Sequence, residues 1–331
     1  MHRRYKVVVT DFIRPPLAAE EAVLADVADV VALDACSEEE LAGHIEDADA
    51  LMVYHMLSVS AETLARLERC KVIARCGVGY DNVDRQFARE RGIPVVNVPD
   101  YGTEEVADTA IAMMLTLARG ILPLNSRMQR GDRRWSYTEA APLWRLRSRV
   151  FAIVGLGRIG TAAALRAKAL GMDVVFYDPY VLDGMEKAVG VRRAASLEEL
   201  LQTAHVLSIH CPLTAETHHL IDREALAKLP RGSLLINTAR GAVVDTAAVP
   251  DAIASGQLAG AGIDVLEHEP PKAGDPLVAA WRDPSHEAYD RVIISPHAAF
   301  YSEEGLRDMR TKGSQACRRA ILGLPLRNVV N

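Results

Sequence analysis

The stretch from Arg149 to Pro179 constrains this chain more than any other. Val150 to Val154 is a short apolar run rich in β-branched residues, the composition of a strand buried on both faces. It runs into Gly155-Leu156-Gly157-Arg158-Ile159-Gly160. In such a turn the first glycine permits the tight bend and the second lets the backbone approach a pyrophosphate. The third lets the following helix pack on its strand. Residues 161–170 are expected to form that helix, so the backbone around Arg158 and Ile159 meets its N-terminal N–H groups and positive dipole end, an anion site. Gly171 stops the helix. A second strand, Val174 to Tyr177, then delivers Asp178 eighteen residues after Gly160, close to the roughly 20 expected of a ribose-binding acid. Strand, turn, helix and acid together predict a dinucleotide site. A carboxylate accepts the ribose hydroxyls of NAD and repels the 2′-phosphate of NADP, so NAD is the expected cofactor.

With 331 residues, 49% of them hydrophobic and 25% charged, the chain has room for two domains with real cores. A net charge of −6 argues against nucleic acid as a partner. The densest basic segment, Arg127 to Arg134, reads as a solvated arm. Cys36, Cys70, Cys76, Cys211 and Cys317 are odd in number and include no C-x-x-C, which suggests neither a disulfide framework nor a zinc site and points to the cytoplasm. The basic start Met1 to Tyr5 leads into a short strand rather than a signal-peptide apolar region. The longest apolar stretch, Ala110 to Ala118, is far shorter than the roughly 20 residues of a membrane helix, so no membrane partner is expected.

Before the glycine turn the chain alternates. Strands are expected at 7–9, 50–53, 72–74 and 94–96, and helices at 17–27, after Ser60 and at 83–91. Ser37-Glu38-Glu39-Glu40 has capping-box spacing and predicts a helix over 41–45. Thr103-Glu104-Glu105 opens a long helix through Ala118, and 120–144 reads as an irregular exposed arm. After the glycine turn, strands are expected at 206–209, 233–236, 261–263 and 292–294, with a last helix at 303–322.

Three of these later strand ends carry polar residues where open α/β sheets place ligands. They are Asn237-Thr238-Ala239-Arg240-Gly241, the run Asp264 to Pro270, and Ser295-Pro296-His297-Ala298-Ala299. A fixed cation, a carboxylate and an imidazole suit hydride transfer to a 2-oxo acid. Arg240 can pair with the substrate carboxylate and polarise its carbonyl. His297 can protonate the developing alkoxide, and Glu269 can orient His297 and favour its charged form. Cys211 and Pro212, in His210-Cys211-Pro212-Leu213-Thr214, shape the nucleotide cleft, and Thr238 and Ala239 border the cofactor. His218, His219, His268 and His286 lack metal-ligand spacing, and no metal is expected.

With these motifs the chain resembles the D-isomer-specific 2-hydroxyacid dehydrogenases over nearly its whole length, from about Lys6 to Ile321. Within that family it is most similar to the C-terminal-binding-protein branch, through residues 165–169, 176–180 and 296–303. The resemblance implies the same catalytic trio, Arg240, Glu269 and His297. It also implies that Asp264 holds the nicotinamide carboxamide, that Arg75 and the Val78-Gly79 backbone meet the substrate carboxylate, and that Tyr54, His55 and Phe300 border the substrate. The implied architecture is α/β with two doubly wound parallel-sheet domains. A Rossmann NAD domain, 120–298, is inserted into a flavodoxin-like substrate domain built from 1–119 and 299–331. A homodimer is expected from the arm, whose Trp135, Tyr137 and Trp144 a monomer would leave wet, and from the resemblance. The leading expectation is an NAD(H)-dependent D-2-hydroxyacid dehydrogenase acting on a small molecule. The alternative is an NAD-sensing dimeric scaffold for peptides, like the corepressors of that branch.

Overall fold

The computed structural model describes every residue except Met1, His2, Asp132 and Arg133, so the basic start and the Arg127 to Arg134 stretch lie partly outside the described residues. The chain divides into two compact units, Met1–Gly102 with Tyr301–Asn331, and Thr103–Phe300.

The first unit is built on β1 (Tyr5–Val9), β2 (Ala28–Ala32), β3 (Ala50–Val53), β4 (Ile73–Arg75) and β5 (Val95–Asn97), in the order β2-β1-β3-β4-β5. Neighbours pair in parallel throughout. Both faces are covered, which is why residues 7–9 and 50–53 are unbroken apolar runs and fully buried. The order is flavodoxin-like, and it reverses between β1 and β3. On one face the helix Ala18–Leu24 packs beside the last helix, Glu303–Ile321. Glu20, fully buried, accepts from both Nε and Nη2 of Arg310 at 2.7 and 2.6 Å, a bidentate pair joining the two chain segments of this unit. At the far edge the Val330 N–H donates to the Val95 carbonyl at 2.9 Å and the Val95 N–H to Asn331 Oδ1 at 2.8 Å, which satisfies the outer strand.

Two local expectations fail here. β2 forms where no strand was read, because its five residues with an exposed Asp29 carry too weak a pattern. Residues 37–45 make only a 3₁₀ turn, Glu39–Leu41, because the Glu40 carboxylate accepts the Cys36 N–H at 2.9 Å instead of capping a helix.

The second unit holds β6 (Val150–Val154), β7 (Asp173–Tyr177), β8 (Arg192–Arg193), β9 (Val206–Ile209), β10 (Ser233–Asn237), β11 (Leu258–Ile263) and β12 (Val292–Ile294). The order is β12-β11-β10-β9-β6-β7-β8, all parallel, the doubly wound Rossmann arrangement with its reversal between β6 and β9. The helix Arg158–Ala169 follows the glycine turn. Against it lies Thr103–Ala118, with Ala107, Ala110 and Met114 buried beside Ala163, Ala164 and Ala167. These small residues let the two backbones approach closely. The helix therefore joins the second unit, and the chain divides at Gly102 and Phe300 rather than at 119/120 and 298/299. An apolar helix face shows that something covers it but not which sheet does.

The arm is more regular than expected. Ile121–Arg130 is a helix with no buried residue, followed by a 3₁₀ turn at Tyr137–Ala140. Asp290 anchors that helix to the unit, accepting from Arg127 Nε at 3.2 Å and Arg130 Nη2 at 2.9 Å. Trp135, Tyr137 and Trp144 are 92, 83 and 61% exposed. No single helix among the described residues is long and apolar enough to cross a membrane.

Candidate active site

In the second unit the glycine turn has the shape a pyrophosphate needs. Gly155 has φ +93°, and a Cβ there would meet the Cys211 backbone nitrogen at 2.8 Å; one on Gly160 would meet the Gly155 carbonyl at 2.1 Å. Around Gly157 the space is open. The outer glycines thus serve packing, while the middle one leaves a clear approach to the N-terminus of the twelve-residue helix Arg158–Ala169. Asp178 lies beside the turn. Its Oδ2 accepts the Leu156 N–H at 2.9 Å, and its Oδ1 accepts those of Tyr180 and Val181 at 2.9 and 3.2 Å. Of the roughly four acceptor directions of a carboxylate, three are taken, so one strong ribose hydroxyl bond fits more readily than two. At the end of β10 the Thr238 hydroxyl is buried with no hydrogen-bond partner among the described residues. Cys211 contributes its backbone against Gly155, and burial pushes its thiol up to about 12. Pro212 is exposed and Ala239 half-buried.

His210, in the same strand end, bonds Ser208 Oγ through Nε2 at 2.8 Å, and its Nδ1 has no partner. Burial pushes the imidazole down to about 4, from an ordinary value of 6.5. A histidine held neutral when folded still binds a proton when unfolded, so stability falls as pH drops from 6.5 toward 4, by at most about 3 kcal/mol. Thermal melts of wild type and His210→Gln between pH 7 and 4.5 should show the shallower acid slope in the variant. Equal slopes would remove His210 from the acid response.

The three proposed catalytic groups all belong to the second unit. His297 Nδ1 and Glu269 Oε2 are 2.6 Å apart, the histidine half-buried and the glutamate exposed. His297 has φ +52°, a left-handed conformation unusual for a side chain with a Cβ and worth on the order of 1–3 kcal/mol of strain. Asp264 holds it there. Its carbonyl accepts the His297 N–H at 2.8 Å. Its buried carboxylate accepts the Ala298 N–H at 2.9 Å, the Ala299 N–H at 3.1 Å from both oxygens, and the Ser295 hydroxyl at 2.5 Å. The carboxylate implied to face a carboxamide thus also shapes the histidine loop, mainly through Oδ1, while Oδ2 accepts only the shared Ala299 N–H. Arg240 follows β10. Its carbonyl accepts Asn237 Nδ2 at 2.9 Å, and Asn237 Oδ1 accepts the Ala239 N–H at 3.0 Å. The Phe300 ring meets the His297 ring edge-on, with centroids 6.5 Å apart.

The residues proposed for substrate binding in the first unit lie at or just beyond the ends of β3 and β4. Arg75 is 5% exposed and donates from Nε to Asn82 Oδ1 at 3.2 Å. Its Nη1 lies 1.6 Å from where a Gly77 Cβ would stand, so only glycine there lets the guanidinium fold over the turn. Val78 and Gly79 are partly exposed, as is His55, whose ring lies 4.6 Å from that of Phe12. Tyr54 departs from expectation. Its side chain is fully buried, its ring 5.6 Å from that of Phe12, so it supports the strand end from within instead of lining it. Sequence reasoning also missed Asp11 and Asn82, which bond the loop after β3. The available signal was an acid directly beyond a buried strand.

The model of the D-isomer-specific 2-hydroxyacid dehydrogenase NAD-binding domain matches residues 111–299, more than half of the chain. The chain belongs to that family. A D-3-phosphoglycerate dehydrogenase of Methanocaldococcus jannaschii is 34% identical over 98% of the chain, which spans 59% of that relative's length. A glyoxylate reductase of Korarchaeum cryptofilum is 36% identical over 81% of the chain and 78% of its own. The crystal structure of a D-lactate dehydrogenase from Aquifex aeolicus, complexed with NAD and lactic acid, superposes with a TM-score of 0.83 at 29% identity and covers 96% of both chains. For this dehydrogenase-family chain, residues 111–299 are accordingly the NAD-binding region, and the clear approach at Gly157, the held Asp178 and the orphaned Thr238 hydroxyl fit that cofactor.

Proposed function

We propose that this protein is an NAD(H)-dependent oxidoreductase interconverting a 2-oxo acid and a D-2-hydroxy acid. The observation that carries the reading is the 2.6 Å contact between His297 Nδ1 and Glu269 Oε2, beside a strand end bearing Arg240. Bound NADH would supply the hydride. His297 holds the proton on Nε2 for the alkoxide oxygen, because its Nδ1 faces Glu269, and the carboxylate steadies the imidazolium. Arg240 draws the carbonyl electrons toward its guanidinium and pairs with the substrate carboxylate. Arg75 and the amides of residues 78–79 form the anion-binding part of the first unit.

The favoured substrate carries a medium-sized, uncharged side chain. His55 and Met56 after β3, and Phe300 after β12, are the residues read as bordering that side chain, and of these His55 alone can carry a positive charge. A second anion left unpaired on binding would lose several kcal/mol. In a panel of glyoxylate, pyruvate, branched, thioether and aromatic oxo acids, hydroxypyruvate and 3-phosphohydroxypyruvate, an uncharged member should lead, with NADH over NADPH and a D product. Asp178→Ala should narrow the NADH preference. Best activity on the phosphorylated acid, an L product, or a wild-type preference for NADPH would each contradict this assignment.

A homodimer is part of the proposal. The aromatic area of Trp135, Tyr137 and Trp144 supports it, being more apolar surface than an anchored arm leaves wet without a use. Sedimentation at micromolar concentration should show twice the 36.1 kDa chain mass; a single species at that mass would refute it.

A further inference from the structure

In the first unit, one buried carboxylate and one carboxamide grip the same short loop from opposite sides. Asp11 follows β1 and residues 54–57 follow β3, the two strands between which the sheet order reverses. Open α/β sheets bind ligands outside the strand ends at such a reversal. Asp11 is 0% exposed. Its Oδ1 accepts the Thr10 hydroxyl at 2.6 Å and the Tyr54 N–H at 2.9 Å; its Oδ2 accepts the Met56 N–H at 2.8 Å. Across the loop, Asn82 Nδ2 donates to the carbonyls of Tyr54 at 2.8 Å and Leu57 at 2.6 Å, while its Oδ1 accepts Arg75 Nε at 3.2 Å. Both ends of that amide are engaged. An Asp in its place could not donate to either carbonyl.

From this geometry we infer that Asp11 and Asn82 are positioning residues for substrate recognition. Together they fix the backbone that carries His55 and Met56, and Asn82 sets Arg75 in register with it. The inference rests on the reading of residues 55–56 and Arg75 as the oxo-acid side of the site. A buried charge at Asp11 favours this role over packing alone. A carboxylate in a dry interior is costly unless its hydrogen bonds hold it. A negative charge behind a site for an anion works against binding unless it orders the groups that bind. Asp11 touches neither substrate nor cofactor in this scheme; it acts only through two backbone amides. An interaction that sets loop geometry, remote from the proton and hydride, appears mainly in KM for the oxo acid.

The test uses the full-length enzyme and its best 2-oxo acid. Asp11→Asn turns an acceptor into a group that cannot accept from both amides, and Asn82→Asp removes both donors while keeping the Oδ1 contact with Arg75. Each should raise KM for the oxo acid on the order of 10- to 100-fold, with kcat within about three-fold and KM for NADH unchanged. Because both residues hold one loop, the double variant should raise KM by less than the product of the single effects. Thr10→Val, which removes one hydroxyl donor to Asp11 Oδ1 and preserves shape, gives a smaller rise and serves if the first variants fail to fold. Leu64→Ala, buried elsewhere in the same unit, controls for lost stability and should leave KM unchanged. Unaltered KM in the folded variants, or an equal rise in Leu64→Ala, overturns the inference while the functional reading stands. A wild type inactive on every oxo acid defeats the functional reading, and the inference falls with it.

Discussion

His297→Ala should lower kcat for 2-oxo-acid reduction by on the order of 10²–10⁴-fold, the usual worth of a positioned general acid. Binding of NADH, followed by nucleotide fluorescence, should persist, because the glycine turn and Asp178 belong to other strand ends. The expectation follows from how the loop is built. The backbone of His297 is held at φ +52° by the Asp264 carbonyl, and the next two amides are taken by the Asp264 carboxylate. A strained residue whose own amide and the next two are all held by Asp264 has a fixed direction, and here that direction brings Nδ1 to 2.6 Å from Glu269. Glu269→Gln removes the carboxylate that steers Nδ1 and should lower kcat by a smaller factor than His297→Ala. Near-normal turnover in both variants would take the pair out of the mechanism.

The second unit could be read from the sequence because its functional groups stand directly after apolar runs. Residues 150–154 announce a buried strand, Gly155 to Gly160 its turn, and Asp178 the end of the next strand; each stands where the pattern put it. Arg240, Glu269 and His297 lie in the segments that follow β10, β11 and β12. Residues whose work is done through backbone were not legible. Asp264 looks like a ligand-facing acid in the sequence, and the structure gives its carboxylate to the histidine loop. The loop bonds of Asp11 and Asn82 span 43 and 28 residues, from Asp11 to Tyr54 and from Asn82 to Tyr54, so no local pattern announces them. Tyr54 lies at a strand end, where position suggests a ligand contact, yet it turns inward. The helix Thr103–Ala118 was recognised as a helix and placed in the wrong unit, since periodicity reports a buried face without naming its cover.

Arg240→Gln should reduce kcat/KM for the oxo acid by on the order of 10²–10³-fold, the scale reported by removal of one preorganised donor to a developing oxyanion. Two roles converge on this guanidinium, so both constants should move. Losing the pairing with the carboxylate raises KM, and losing polarisation of the carbonyl lowers kcat. Asn237 makes the position reliable. It clamps residues 237–240 through bonds to the Ala239 N–H and the Arg240 carbonyl, so the side chain leaves an extended, fixed backbone. Arg240 Nη1 already donates to the Ala239 carbonyl at 2.7 Å, which orients the plane of the fork. Arg240→Lys separates charge from geometry. A point charge can still attract the carboxylate but cannot hold carboxylate and carbonyl in one plane. The lysine variant should therefore recover KM more fully than kcat. Full recovery of both would mean that Arg240 acts as charge alone. A glutamine variant with unchanged kcat/KM would exclude Arg240 from the reaction.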